Sequence, residues 1–168
     1  MIATLIPEIC KDLQETALAA AIRESRWLFP TIETVHVLAT GLVVGSIAML
    51  DLRLLGFTWR DRGVREVHEE VLPWTWTAFV CAAIAGALLF SSDAVKYSGN
   101  LQFRAKVVLL ALLGLNAGIF ELGVYRRVDD WDRGRVPIAA RLAGGISLIF
   151  WISVVTLGRW IGFTTSLR

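Results

Sequence analysis

Between Val71 and Ser92 the chain runs for 22 residues without a charged side chain. A helix needs about 20 mostly apolar residues to cross the hydrocarbon core of a bilayer, so a run of this kind restricts the fold more than any other feature. Three further segments approach or meet the same requirement. Val35–Leu50 is uncharged and extends upstream through Ile32 and Leu28; Val107–Phe120 is extended by Phe103 and Val124; Leu142–Gly158 continues through Trp160 to Phe163. In hydrocarbon a backbone must satisfy its own donors and acceptors, and helices of this length do so. The expected fold is all-α: a polytopic membrane protein with a four-transmembrane-helix bundle over 27–168 and spans near 31–56, 71–92, 103–124 and 138–163.

The segment before the first span has a different character. Apolar Leu13, Ala17, Ala20 and Ala21 alternate with charged Lys11, Asp12 and Glu15, which predicts an N-terminal amphipathic interfacial helix within 1–26, with Pro7 near its first turn. The same stretch lacks a basic leader and carries Glu8 and Asp12, so it does not read as a cleaved signal peptide. Pro30 is expected to turn the chain into the membrane. Trp27, Trp59, Trp74, Trp76, Trp131 and Trp160 fall near the ends of the apolar runs, as interfacial tryptophans do; Trp151 is mid-span.

Charged residues make up 19% of the 168 residues, below the roughly 25% of soluble chains, and they cluster between the spans. A net charge of +2 without Lys/Arg blocks gives no reason to expect nucleic acid as a partner. Cys10 and Cys81 form no paired motif; Cys81, inside an apolar run, reads as a small packing residue. No nucleophile–base pairing, phosphate-binding Gly loop or zinc motif is present, which leaves catalytic residues unassigned. With four spans both termini share a side with the 92–106 loop. That side carries 8 of the 17 Lys/Arg and the other side 9; the short Arg-rich loops on the latter favour N-out and C-out in a bacterial inner (cytoplasmic) membrane.

Ionisable groups in a span are costly and point to function. His36 lies nine residues past Trp27, roughly 13 Å along a helix. Glu33 is one turn earlier on nearly the same face and could orient the imidazole. Lys106, roughly 9 Å down the third span from Asn100, enters from the same side. An imidazole so placed can be a metal or haem ligand, a proton carrier or a polar strut. His68 lies at the far side, which argues against two histidines holding one haem and against a histidine-rich metal centre. Elsewhere, Asp51 and Arg53 read as an interfacial charge pair, Glu121 and Arg141 as a pair between the third and fourth spans, and Gly41–Gly45 as a GxxxG motif suited to packing within the chain. Arg126, Arg127, Arg133 and Arg135, interspersed with Asp129, Asp130 and Asp132, read as a solvated loop.

Trp27-Leu-Phe-Pro30, Glu33-Thr-Val-His36, Asp51-Leu-Arg-Leu-Leu-Gly56, Pro73-Trp-Thr-Trp76, Phe103-Arg-Ala-Lys106, Asn116 and Gly158-Arg-Trp-Ile161, taken in order, resemble a bacterial four-span membrane family of unassigned role. More distantly, the layout resembles the haem-b-dependent protoporphyrinogen oxidases and the membrane domain of copper-resistance D proteins. An early His36, Arg53-Leu54 and Lys106 carry the likeness to the oxidases; Leu115-Asn116 stands where those enzymes carry histidine. The resemblance implies a haem-b protein of redox or electron-transfer type, a membrane oxidoreductase if it is an enzyme. His36 would ligate the iron, Glu33 would tune His36, and Lys106 and Arg159 would ligate or neutralise. The rival reading is a cofactor-free membrane subunit or small transporter in which the same cluster is structural or binds a small ligand. Expected partners are the lipid bilayer and either a second copy of the chain or a membrane redox partner.

Overall fold

The computed structural model describes residues 2–132 and 134–166; Arg133 of the polar loop lies outside them. Seven α-helices follow in order: α1 (Ile2–Gln14), α2 (Ala17–Glu24), α3 (Leu28–Leu55), α4 (Val64–Ser92), α5 (Ala94–Gly99), α6 (Leu101–Ile119) and α7 (Ile138–Ser166). A π turn (Phe120–Val124) and a 3-10 turn (Tyr125–Asp130) continue α6. Four of these units are long and apolar enough to span a bilayer: Leu28–Leu55, Val64–Ser92, Leu101–Asp130 and Ile138–Thr164. The chain is an all-α four-helix bundle of multi-pass membrane type.

Local chemistry sets the ends of the spans. The Ser25 hydroxyl accepts from the backbone N–H of Trp27 and Leu28 at 3.3 and 3.1 Å, capping the start of α3. Gly56, at φ +80°, closes α3, and the Phe57 N–H reaches back to the Leu52 carbonyl at 2.9 Å; that left-handed turn is where glycine costs least. At the start of α4, the Asp132 carboxylate accepts from the Arg65 N–H at 2.8 Å. A Cβ on Gly63 would stand 2.5 Å from that carboxylate, so the cap needs glycine there. Asn100 caps α6 through Phe103 N–H at 3.0 Å, and its amide donates to Thr164 of α7, also at 3.0 Å.

Helix α3 packs along α4 on one side and α7 on the other, and α7 packs on α6. The backbones of α4 and α6 stand farther apart, and side chains bridge them. Phe90 stacks on Phe103 at one end, and His68 meets Glu121 at the other. A central core joins Val43, Ala78, Leu113, Trp151 and Val154, which accounts for the mid-span tryptophan. A second core gathers Leu50, Leu54, Val67, Val71, Phe120 and Val128 near the α3–α4 loop. Leu38, Ile84, Leu115, Ile149 and Ile152 project outward, as expected where lipid is the solvent.

Several expectations need correction. The N-terminal segment is two helices, broken where the Thr16 hydroxyl caps α2. Pro7 lies inside α1. The pair docks on the bundle: Arg23 donates to the Ser92 carbonyl at 3.1 Å, satisfying an orphan acceptor at the end of α4. Gln14 accepts from the Val95 N–H at 3.1 Å. Cys10 is the buried cysteine and Cys81 is exposed. A Cβ on Gly41 or Gly45 would meet nothing within 4 Å; α4 and α7 occupy other faces of α3, so this motif does not pack within the chain. Trp59 and Trp131 are half-buried against the second core, whereas Trp27, Trp74, Trp76 and Trp160 are exposed.

Candidate functional site

His36 sits two turns into α3 and is half-buried. Its Nδ1 lies 2.8 Å from the Ala82 carbonyl of α4. A carbonyl only accepts, so the proton is on Nδ1 and Nε2 keeps its lone pair. The ring fits because α4 carries glycine one turn on. A Cβ at Gly86 would stand 2.9 Å from Cε1 and 3.2 Å from Nδ1 of the imidazole. The charges that act on His36 are Lys106 and Glu33, so α3 and α6 hold at one end of the bundle three residues that the sequence brings in from the same side. His36 and Lys106 share no hydrogen bond among the described residues. The Lys106 amine lies against α7 at Gly158, where a Cβ would stand 3.5 Å from Nζ.

Aromatic groups cover this end. Phe90, one turn beyond Gly86, stacks on Phe103, one turn before Lys106, with ring centroids 5.1 Å apart. Tyr97 of α5 lies 6.1 Å from Phe103 and 6.5 Å from Phe90. Tyr97 is outside the spans; burial, and then the negative charges of Asp93 and Glu33, push its hydroxyl above the ordinary tyrosine value. Arg159 does not join the group: it is exposed, and its guanidinium lies 4.9 Å from the Phe163 ring on its own helix.

A second polar centre occupies the opposite end, and sequence reading had divided its members into unrelated pairs. His68, its side chain 6% exposed, gives its Nε2 proton to the Glu121 carboxylate at 2.7 Å. Glu121 stands in the π turn, a distortion frequent at functional sites, and is therefore not the partner of Arg141, which is exposed. The His68 ring stacks on Tyr125 at 3.9 Å, and its Nδ1 is buried without a hydrogen-bond partner. Asp51 does not pair with Arg53. It is 4% exposed and bonded to the Ser147 hydroxyl, while Arg53 donates to the Arg62 carbonyl at 2.8 Å. Asn116, the polar group between the two ends, donates to the Ala143 carbonyl at 3.0 Å. No local feature of the sequence points to the second centre, because its defining pair joins α4 to the turn after α6.

A model of DUF6644, a family of unknown function, matches residues 25–164. The chain belongs to the DUF6644 family. The match takes in all four spans of this DUF6644 protein and both polar centres, and leaves out α1 and α2. No curated protein and no solved structure matches it.

Proposed function

We propose that this protein binds haem b in the membrane through His36 and serves as a redox or electron-transfer protein. The observation that carries the reading is the imidazole whose Nδ1 proton is committed to the Ala82 carbonyl, which leaves Nε2 free to ligate. A second hydrogen bond of this kind fixes the tautomer and orientation of a ligating histidine. The donor set favours a macrocycle over a bare ion. Among the described residues no group of three or more His, Cys, Asp or Glu could hold a metal ion, whereas a porphyrin brings four nitrogens and needs from the protein only axial ligands.

The roles of the chain's residues follow from their positions. Gly86 leaves the imidazole its bed against α4. Lys106 supplies either a second ligand or the cation for a propionate, with Gly158 admitting its amine. Glu33 adds a negative charge that tunes His36. Phe90 and Phe103 offer flat apolar rings and keep water from this end. Arg159 belongs to the reading only as a surface cation. Bound haem would supply one-electron exchange at iron.

The visible spectrum of protein purified from cells with ample haem tests the proposal. A Soret band is expected in the wild type and is expected to vanish in His36→Ala. Lys106→Met should change the spin state if the amine is the sixth ligand and leave it unchanged if it faces a propionate. Colourless, fully folded wild-type protein would refute haem binding and favour the cofactor-free membrane subunit or small transporter.

A further inference from the structure

The centre around His68 opens into a cleft of about 430 Å3 lined by His68, Glu69, Leu72, Pro73, Trp76 and Tyr125. Its polar groups are nearly all acceptors. With the His68 ring neutral and its Nε2 proton on Glu121, Nδ1 is an acceptor, buried and without a hydrogen-bond partner. Pro73 has no N–H, so the Glu69 carbonyl four residues back lacks its helical donor. The Glu69 carboxylate is exposed and enters no salt bridge among the described residues. The charged groups acting on the Tyr125 hydroxyl are Glu69, Arg65, Glu121 and Asp132. Three of these are anionic, and the one cation is held by Asp129 at 2.5 Å. Only the Tyr125 hydroxyl and the Trp76 indole N–H can donate.

This inventory selects a ligand class. An anion would face the unpaired Glu69 carboxylate, with Glu121 and Asp132 nearby. A ligand offering only carbonyl oxygens would leave the buried His68 Nδ1 unmet, and a buried acceptor without a partner costs about 1–3 kcal/mol. A primary ammonium brings three donors and a positive charge. Leu72 and Pro73 give it an apolar wall, and the exposed Trp76 indole gives it a π face. We propose that this cleft is a binding site for a primary ammonium carried on an apolar body. The ammonium can come from a free lipophilic amine or from the ethanolamine headgroup of a phospholipid. The site is independent of His36 and of haem.

The test is calorimetric titration of hexylammonium into the full-length protein in nanodiscs of pure phosphatidylcholine, with empty nanodiscs subtracted. Saturable binding is expected for hexylammonium, at least tenfold tighter than for hexyltrimethylammonium, which has no N–H, and none for hexanoate. Glu69→Gln, an exposed and unpaired site that does not threaten the fold, should weaken binding about tenfold, the worth of one charge-assisted contact. Trp76→Ala should weaken it further. Repeating the titration with phosphatidylethanolamine in the nanodisc separates the sources: competition identifies the headgroup, and unchanged affinity identifies the free amine. Equal responses to hexylammonium and hexanoate, or affinity unaltered in both Glu69→Gln and Trp76→Ala, would overturn the proposal.

Discussion

The contact between Gly86 and His36 can be tested without reference to any cofactor. In Gly86→Ala the new methyl would stand 2.9 Å from Cε1 and 3.2 Å from Nδ1 of the imidazole, closer than carbon and nitrogen tolerate. The ring must swing away, which breaks its 2.8 Å bond to the Ala82 carbonyl, or α3 and α4, the most extensively packed pair of helices, must separate. Overpacking costs about 1–3 kcal/mol and the lost hydrogen bond about 0.5–1.5 kcal/mol. Alanine returns about 1 kcal/mol in helix propensity. The net expectation is a loss of about 1–3 kcal/mol. In a His36→Ala background the methyl has no ring to meet, and the same substitution should be neutral or stabilise by about 1 kcal/mol. The double-mutant cycle should therefore show a coupling of about 1–4 kcal/mol, readable by reversible SDS unfolding in mixed micelles. Gly41→Ala, in open space on α3, is the control and should be insensitive to the residue at 36. Additivity of Gly86→Ala and His36→Ala to within about 0.5 kcal/mol would refute the packing described for this site.

The remaining predictions concern other parts of the bundle. Gly63→Ala should displace the Asp132 carboxylate from the start of α4 and destabilise at least as much as Asp132→Ala, which should cost about 1–2 kcal/mol as a lost cap; thermal unfolding of the two variants and their double mutant checks this. Thr75→Val removes a buried hydroxyl that bridges α4 to Ser46 of α3 at 2.8 Å and should cost about 0.6–1.7 kcal/mol, the range for hydrogen bonds between membrane helices. For Tyr97 the folded hydroxyl titrates above its ordinary value. A raised value means that its contribution to stability is fully present below the unfolded value near 10 and is lost as pH rises through the folded one. Tyr97→Phe should therefore blunt alkaline destabilisation, and with only two tyrosines in the chain the absorbance titration at alkaline pH assigns the group directly.

The spans were legible because hydrocarbon forces composition: 22 uncharged residues from Val71 to Ser92 admit few soluble alternatives. The depth of His36 was legible for the same reason, since a helix converts residue number into distance. Pairing across the bundle was not. His68 and Glu121 are 53 residues apart, and nothing in either neighbourhood names the other. Asp51 and Arg53 are close in sequence, and proximity suggested an ion pair. A separation of two residues puts them on different helix faces, and in the bundle they turn to Ser147 and to the Arg62 carbonyl. The Gly41–Gly45 motif shows the converse limit: spacing identifies a face able to pack closely, and only the arrangement of α4 and α7 decides whether a neighbour occupies it.

The two histidines are held by partners of different charge, and that difference separates what each end can do. The Ala82 carbonyl fixes the His36 tautomer without adding a net charge, so Nε2 stays available and the local electrostatics are left to Lys106 and Glu33, which oppose one another. An oriented imidazole with Nε2 free, beside two charges of opposite sign, suits a ligand that brings its own metal. The Glu121 carboxylate instead adds a full negative charge to the His68 end, where Glu69 is unpaired and Arg65 is committed to Asp129. An end with surplus acceptors and surplus negative charge is completed by a donor that is also a cation. Exchanging the partners tests this division: Glu121→Gln should lower hexylammonium affinity while leaving any Soret band unchanged, and Gly86→Ala should do the reverse. Coincident loss of both signals in either variant, with the fold intact by circular dichroism, would show that the two ends do not act as separate sites.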